Sequence, residues 1–182
     1  MDIIVKQGNI AQVAADLITV GLFQDVAPSG AAGSVDAALG GMIRDALAMK
    51  DFVGKAGETL LLYTRGAIPA PRVLIVGLGE AGKFDLKGAR DAVATAARKA
   101  RDLGVKHLAI DAGGPPPTGA GSGIPSPEAA GQAMTEGALL GLYRYEGHRS
   151  QPPKDWKPDP ERMTIVAFDT ELVATFETGV LR

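Results

Sequence analysis

Six short stretches of the chain are apolar almost without interruption, at residues 2–6, 16–20, 59–63, 73–77, 107–111 and 163–168. Val73, Leu74, Ile75 and Val76 follow one another with no polar residue between them, the pattern of a strand covered on both faces. Between these runs the period changes to three and four. Leu86, Ala89, Val93, Ala96, Ala100 and Leu103 fall on one helical face while Lys87, Arg90, Asp91, Arg98, Lys99 and Arg101 fill the other. This predicts a helix over residues 86–103, with Asp85 as its cap and Gly104 at its end.

A second helix is expected from Ser126, where Ser-Pro-Glu provides a cap, a first-turn proline and an acid near the positive dipole end. It runs through Ala130, Met134, Gly137, Ala138 and Leu142, and its small residues suggest close packing on the sheet. A third is expected over residues 35–49, capped by Ser34. Helices alternating with strands imply right-handed crossovers and a mixed, largely parallel sheet. Residues 112–124 carry five Gly and three consecutive Pro, and residues 147–162 carry Pro152, Pro153, Pro158 and Pro160, so both read as irregular connections. Beyond residue 168, Asp169 and Thr170 can cap a helix with Leu172, Val173, Phe176, Val180 and Leu181 on its apolar face. No Gly, Asn or Pro follows that pattern, which fits either an interrupted helix or a frayed one docked on the domain.

Composition narrows the chemistry. A 182-residue chain that is 46% hydrophobic and 22% charged can bury a core as a single domain, and it is not the composition of a disordered tail. No apolar run approaches the ~20 residues of a membrane span, and no basic region followed by an apolar stretch opens the chain, so a cytoplasmic protein is expected. The absence of Cys removes disulfides, thiolate nucleophiles and Cys-containing metal sites, and His107 and His148 alone cannot build a His-rich one. With 19 basic and 21 acidic residues intermixed, the chain has no basic stripe for a nucleic-acid backbone.

Two glycine-rich segments could hold an anion. Gly77-Leu78-Gly79-Glu80-Ala81-Gly82 matches the GxGxxG spacing of dinucleotide-binding turns, but Asp102 lies inside the expected helix and Asp111 comes too late to serve as the ribose acid. A plain strand-to-helix turn fits better. Gly119-Ala120-Gly121-Ser122-Gly123 precedes the Ser126 helix, and it reads either as a backbone cradle for an anion or as a surface loop. Ser29, Ser34, Ser122, Ser126 and Ser150 lack a nucleophile-elbow context, and Asp16, Asp25 and Asp36 do not define an acid/base pair.

These segments carry a resemblance. VLIVGLG at residues 73–79, the helix with Arg90 to Ala97, and EAAGQAMTEGALLGLYRYEGHRS with Glu136 to Tyr145 together resemble the N-terminal domain of the leucyl, or cytosol, aminopeptidase family. The resemblance implies a parent enzyme that removes N-terminal amino acids from peptides, using two divalent ions (zinc or manganese) held in a separate catalytic domain. It also implies a hexamer, so this chain's partners would be its own catalytic domain and neighbouring subunits. Residues 1–168 would form the accessory domain and residues 169–182 the start of a linking helix, which favours the interrupted reading. No cofactor and no catalytic residue is carried onto this chain.

QGNI, AADLITVG, VDAALGGMIRDAL, GKAGETLLLYTRG and GAGSGIPSPEAA occur in the order of a macro domain, which the aminopeptidase N-terminal domain resembles. The fold implied is an α/β/α sandwich of three layers with a mixed, largely parallel sheet. On that resemblance Asp16 would contact an adenine and Gly119, Gly121, Ser122 and Gly123 would clasp phosphates, giving a module that binds ADP-ribose or a related nucleotide as the alternative function. The segment Val20-Gly21-Leu22-Phe23-Gln24 departs from the Asn-containing pattern of macro domains and removes polar contacts expected on the ribose side.

Overall fold

The computed structural model describes residues 1–113, 126–144 and 157–180. All six expected strands form: β1 (Asp2–Gln7), β2 (Leu17–Phe23), β3 (Thr59–Tyr63), β4 (Arg72–Gly79), β5 (His107–Asp111) and β6 (Arg162–Ala167). They make one sheet in the order β1-β6-β5-β2-β4-β3. Every neighbouring pair is parallel except β3 with β4, which is antiparallel and closes one edge.

Both faces are covered, which explains the uninterrupted apolar runs. Alternate residues of one strand serve opposite cores. Ile18, Val20, Val73 and Ile75 join a first core with Val35, Ile43 and Phe52, and Leu17, Leu74 and Val76 join a second core with Val93, Ala96 and Ala138. The first face carries α1 (Gly30–Ala38) and α2 (Met42–Met49), and the second carries α3 (Leu86–Asp102), α4 (Pro127–Leu142) and α5 (Thr170–Val180). The result is the three-layer α/β/α sandwich with a mixed, mostly parallel sheet.

One expected helix is two. The apolar periodicity of residues 35–49 continues through Gly40 and Gly41, but both adopt left-handed backbone, with φ of 68° and 92°. That conformation ends α1 and opens α2 at a new angle. Ser34 consequently lies inside α1, and Ser29 occupies the flanking position without a side-chain capping bond. The anticipated caps at Asp85 and Ser126 hold: Asp85 Oδ1 accepts from the Gly88 amide at 2.8 Å and Ser126 Oγ accepts from the Ala129 amide at 3.2 Å.

The glycines of α4 face neighbouring helices rather than the sheet. A Cβ at Gly137 would lie 2.3 Å from the Arg90 carbonyl oxygen, and one at Gly141 would lie 2.7 Å from the Ala94 Cα, so both admit α3. Gly131 does the same for α5, whose Phe176 is buried in the second core. The two charged positions that carried the resemblance meet here, because Arg90 donates to Glu136 Oε2 from Nε at 2.8 Å and from Nη2 at 2.6 Å. That pairing holds the Glu136 carboxyl below its ordinary pKa. The irregular connections expected within residues 112–124 and 147–162 fall largely at 114–125 and 145–156, outside the described residues.

Candidate functional site

In a parallel sheet, ligands gather at the carboxyl ends of the strands, where the strand order reverses. Here the connection after β2 runs over one face to reach β3 and β4, and α3 returns over the other face to β5 on the opposite side of β2. The carboxyl ends of β2 and β5 therefore flank the place to search.

Asp111 ends β5 at that place. Burial pushes its carboxyl up to about 6, partly offset by the Gly113 amide, which donates to Oδ2 at 3.1 Å. Ala112 donates its amide to the Val166 carbonyl, which carries the edge across to β6. Just past the end of β6, Phe168 is 83% exposed, an unusual position for a large apolar ring. Asp169 follows it, and its Oδ1 accepts from the Glu171 amide at 2.9 Å in the first turn of α5. Beyond β2, Asp25 sits in left-handed backbone at φ 58°. The described part of this edge thus offers an aromatic face and carboxyl groups, suited to stacking on a planar group and to hydrogen bonding with it.

Asp111 supplies a pH test. Its folded pKa of about 6 lies above the usual 3.8, so between those values the folded chain binds more protons than the unfolded one. Stability contributed by the protonated form is complete below about pH 4 and is lost as pH rises toward about 6. Asp111→Asn keeps an acceptor for the Gly113 amide and removes the buried charge. It is expected to stabilise the domain by about 1–2 kcal/mol at neutral pH, discounted for partial exposure, and by almost nothing near pH 4. Urea unfolding at the two pH values measures this, and an equal gain at both would refute it.

Asp16 stands at the opposite, amino end of the strands. Its Oδ2 accepts from the amides of Lys106 at 3.0 Å and His107 at 2.9 Å, fastening the start of β5 to the start of β2. Gly119, Gly121, Ser122 and Gly123 lie outside the described residues. His107, at the same amino end as Asp16, shares a 2.9 Å contact from Nε2 with Thr164 Oγ1, and burial holds its pKa below the ordinary value. A shallow cavity of about 230 Å³ nearby is lined by Arg101, Asp102, Arg144 and Lys157. Its charges tie the end of α4 to the chain before β6: Arg144 donates to Asp159 Oδ1 at 2.9 Å, and Lys157 donates to the Asp102 carbonyl.

The GxGxxG segment is a packing device. Gly77 donates its amide to the Glu58 carbonyl and Gly79 donates to the Gly54 carbonyl, so neither amide is turned toward a ligand. A Cβ at Gly77 would stand 2.0 Å from the Lys55 carbonyl oxygen, and Gly79 has φ 76° at a register shift opposite Phe23. Gly82 does not open a helix, since α3 begins only after Asp85. Sequence spacing did not point to Asp111 or Phe168 as a pair. The available signal was an acid ending an apolar run and an aromatic ending another.

Among the described residues, no group of three or more His, Asp or Glu side chains converges to hold a metal ion. No described helix is long and apolar enough to cross a membrane.

Comparison with known proteins agrees with this architecture. Residues 19–152 match the model of the cytosol aminopeptidase family, N-terminal domain. A protein described as a probable cytosol aminopeptidase from Alkaliphilus metalliredigens is 31% identical over 173 residues, covering 94% of this chain and 33% of that protein. A tomato leucine aminopeptidase variant superposes with a TM-score of 0.72 at 21% identity, covering 97% of this chain and 35% of that one. A Trypanosoma brucei macrodomain in complex with ADP-ribose superposes equally well, with a TM-score of 0.72 at 17% identity over 98% of this chain and 68% of that one. At those identities the two structures establish a shared macro-like fold. The chain spans about a third of the length of the aminopeptidases it matches. It belongs to the cytosol aminopeptidase family, as an N-terminal domain of that family.

Proposed function

We propose that this chain is the accessory part of a cytoplasmic, metal-dependent aminopeptidase, contributing to the assembly of subunits into a hexamer and taking no part itself in peptide cleavage. The observation that carries this reading is the family match over residues 19–152, by a chain that covers about a third of its relatives. In the parent enzyme two divalent ions, zinc or manganese, would act in the catalytic domain as Lewis acids and lower the pKa of an attacking water. The role of the present residues is architectural: a rigid sandwich closed by α3, α4 and α5.

A second reading, a module that binds ADP-ribose or a related nucleotide, is favoured by one feature, the exposed Phe168 ring just past the end of β6, at the carboxyl edge where Asp111 ends the neighbouring strand β5. Base stacking on such a ring contributes roughly 1–3 kcal/mol.

Two measurements on the 182-residue chain separate the readings. Hydrolysis of leucine p-nitroanilide with added manganese is expected to be absent, and turnover by this chain would overturn the accessory role. Calorimetric titration with ADP-ribose is expected to show no micromolar binding if the domain is architectural. Binding weakened about tenfold by Phe168→Ala would establish the second reading.

A further inference from the structure

Three cations meet where α3 and α4 finish, at the amino end of the sheet. Arg101 lies in the last turn of α3, Arg144 follows the end of α4, and Lys157 lies in the chain that leads to β6. With Asp102 they line the cavity of about 230 Å³.

The helix ends account for part of this gathering of charge. The last carbonyls of a helix have no partner within it and carry partial negative charge, so cations collect there. Arg101 Nη1 donates to the Leu142 carbonyl at 3.3 Å, and Lys157 donates to the Asp102 carbonyl. Arg144 donates to the Lys157 carbonyl at 2.8 Å and to Asp159 Oδ1 at 2.9 Å.

These bonds bring the cations together without using up Arg101. Its side chain is only 16% exposed, yet the two carboxylate oxygens within 4 Å, Asp102 Oδ1 and Asp159 Oδ1, stand 3.8 Å and 3.9 Å away, beyond hydrogen-bond length. A guanidinium presents five N–H donors, and among the described residues the Leu142 carbonyl takes one of them. A cation so far withdrawn from water is ordinarily matched by a hydrogen-bonded anion.

We infer that this cavity is a binding site for a small oxyanion, a phosphate or a carboxylate, held by the Arg101 fork and the Lys157 ammonium. A planar guanidinium engages two oxygens of one such group at once. Lys157 is exposed, and the helix end takes one of its three donors. Three cations against one carboxylate line the cavity, which favours an anion. Its volume is below the ~300 Å³ where small-molecule pockets begin, so it suits an ion with its waters and not a nucleotide. Asp159 faces the same cations and competes with an entering anion, which sets the expected Kd at about millimolar. The site is separate from the carboxyl edge and rests on neither functional reading above.

Titration of the 182-residue chain with inorganic phosphate, at pH 7 and constant ionic strength, tests the site through amide chemical shifts. Saturable shifts at the ends of α3 and α4 and at residues 157–161 are expected. Lys157→Gln, at an exposed position, and Arg101→Lys, which keeps the charge but removes the fork, are each expected to weaken binding about tenfold. Asp159→Asn is expected to tighten binding several-fold by removing the competing carboxylate, a gain that disturbance of the fold would not produce. Acetate in a parallel titration separates the sources: tighter phosphate binding assigns a phosphoryl group, and tighter acetate binding a carboxylate. No saturation by either anion up to about 100 mM, or an affinity unmoved by both Lys157→Gln and Arg101→Lys, would overturn the site. Phe168→Ala is expected to leave it unchanged, so failure of ADP-ribose binding and failure of this site are told apart.

Discussion

Gly137→Ala is expected to destabilise the domain by about 2–4 kcal/mol, although the same change inside an ordinary helix gains about 1 kcal/mol. The reversal comes from the approach of α3. The new methyl would lie 2.3 Å from the Arg90 carbonyl oxygen, and that oxygen belongs to helix backbone, which cannot step aside as a side chain could. Relief requires α3 and α4 to separate, and separation disturbs the packing of Val93 and Ala96 with Met134 and Ala138 in the second core. It also strains the bonds from Arg90 to Glu136. Gly82→Ala serves as the control, because a Cβ there meets nothing within 4 Å. Urea unfolding of both variants measures the contrast. A stabilised or neutral Gly137→Ala would show that the two helices are not in such close contact.

Asp36→Ala should cost about 3 kcal/mol, while Arg44→Ala should stay within about 1 kcal/mol, even though the two side chains form an ion pair. Asp36 is 1% exposed, and its Oδ1 accepts from the amides of Ile43 at 2.8 Å and Arg44 at 3.2 Å. A residue of α1 thereby satisfies the first amides of α2 across the Gly40-Gly41 break, where no local side chain caps the helix. Removing the carboxylate leaves those amides without an acceptor, the Ile43 amide in a buried position. The Arg44 guanidinium pairs with Asp36 Oδ2 at 2.5 Å, but its side chain is 65% exposed, so water can replace much of what it contributes. Equal losses from the two substitutions would refute this division between cap and ion pair.

Element positions were largely legible because the four inner strands are covered on both faces and each long helix on one. The runs at 59–63 and 107–111 coincide with β3 and β5, and the helix from Leu86 ends within a residue of its expected limit. The error over residues 35–49 has a local cause. Apolar periodicity survives a glycine pair, whereas a change to left-handed backbone interrupts the helix without altering the pattern. The small residues of α4 were noticed but assigned to the sheet, since periodicity reports that a face is crowded without saying which neighbour crowds it.

The candidate site was legible in part. GxGxxG at residues 77–82 satisfied a spacing rule, yet the loop at residues 53–58 binds the amides of Gly77 and Gly79, a contact between distant segments that spacing does not encode. Asp16 was assigned to an adenine by order along the chain. The strand it precedes runs away from it, so its carboxylate holds the amino end of β5.

By itself, the sequence determined the class of fold, the order of strands and helices along the chain and the family, because these depend on local periodicity and on residues close to one another. Tertiary structure alone decided that Asp111 and Phe168 share one edge, that Asp36 caps a helix it does not belong to, and that the antiparallel β3 closes one border of the sheet while β1 closes the other. Each of these depends on which strands become neighbours, which is set by the packing of both cores around the whole sheet and not by any single segment.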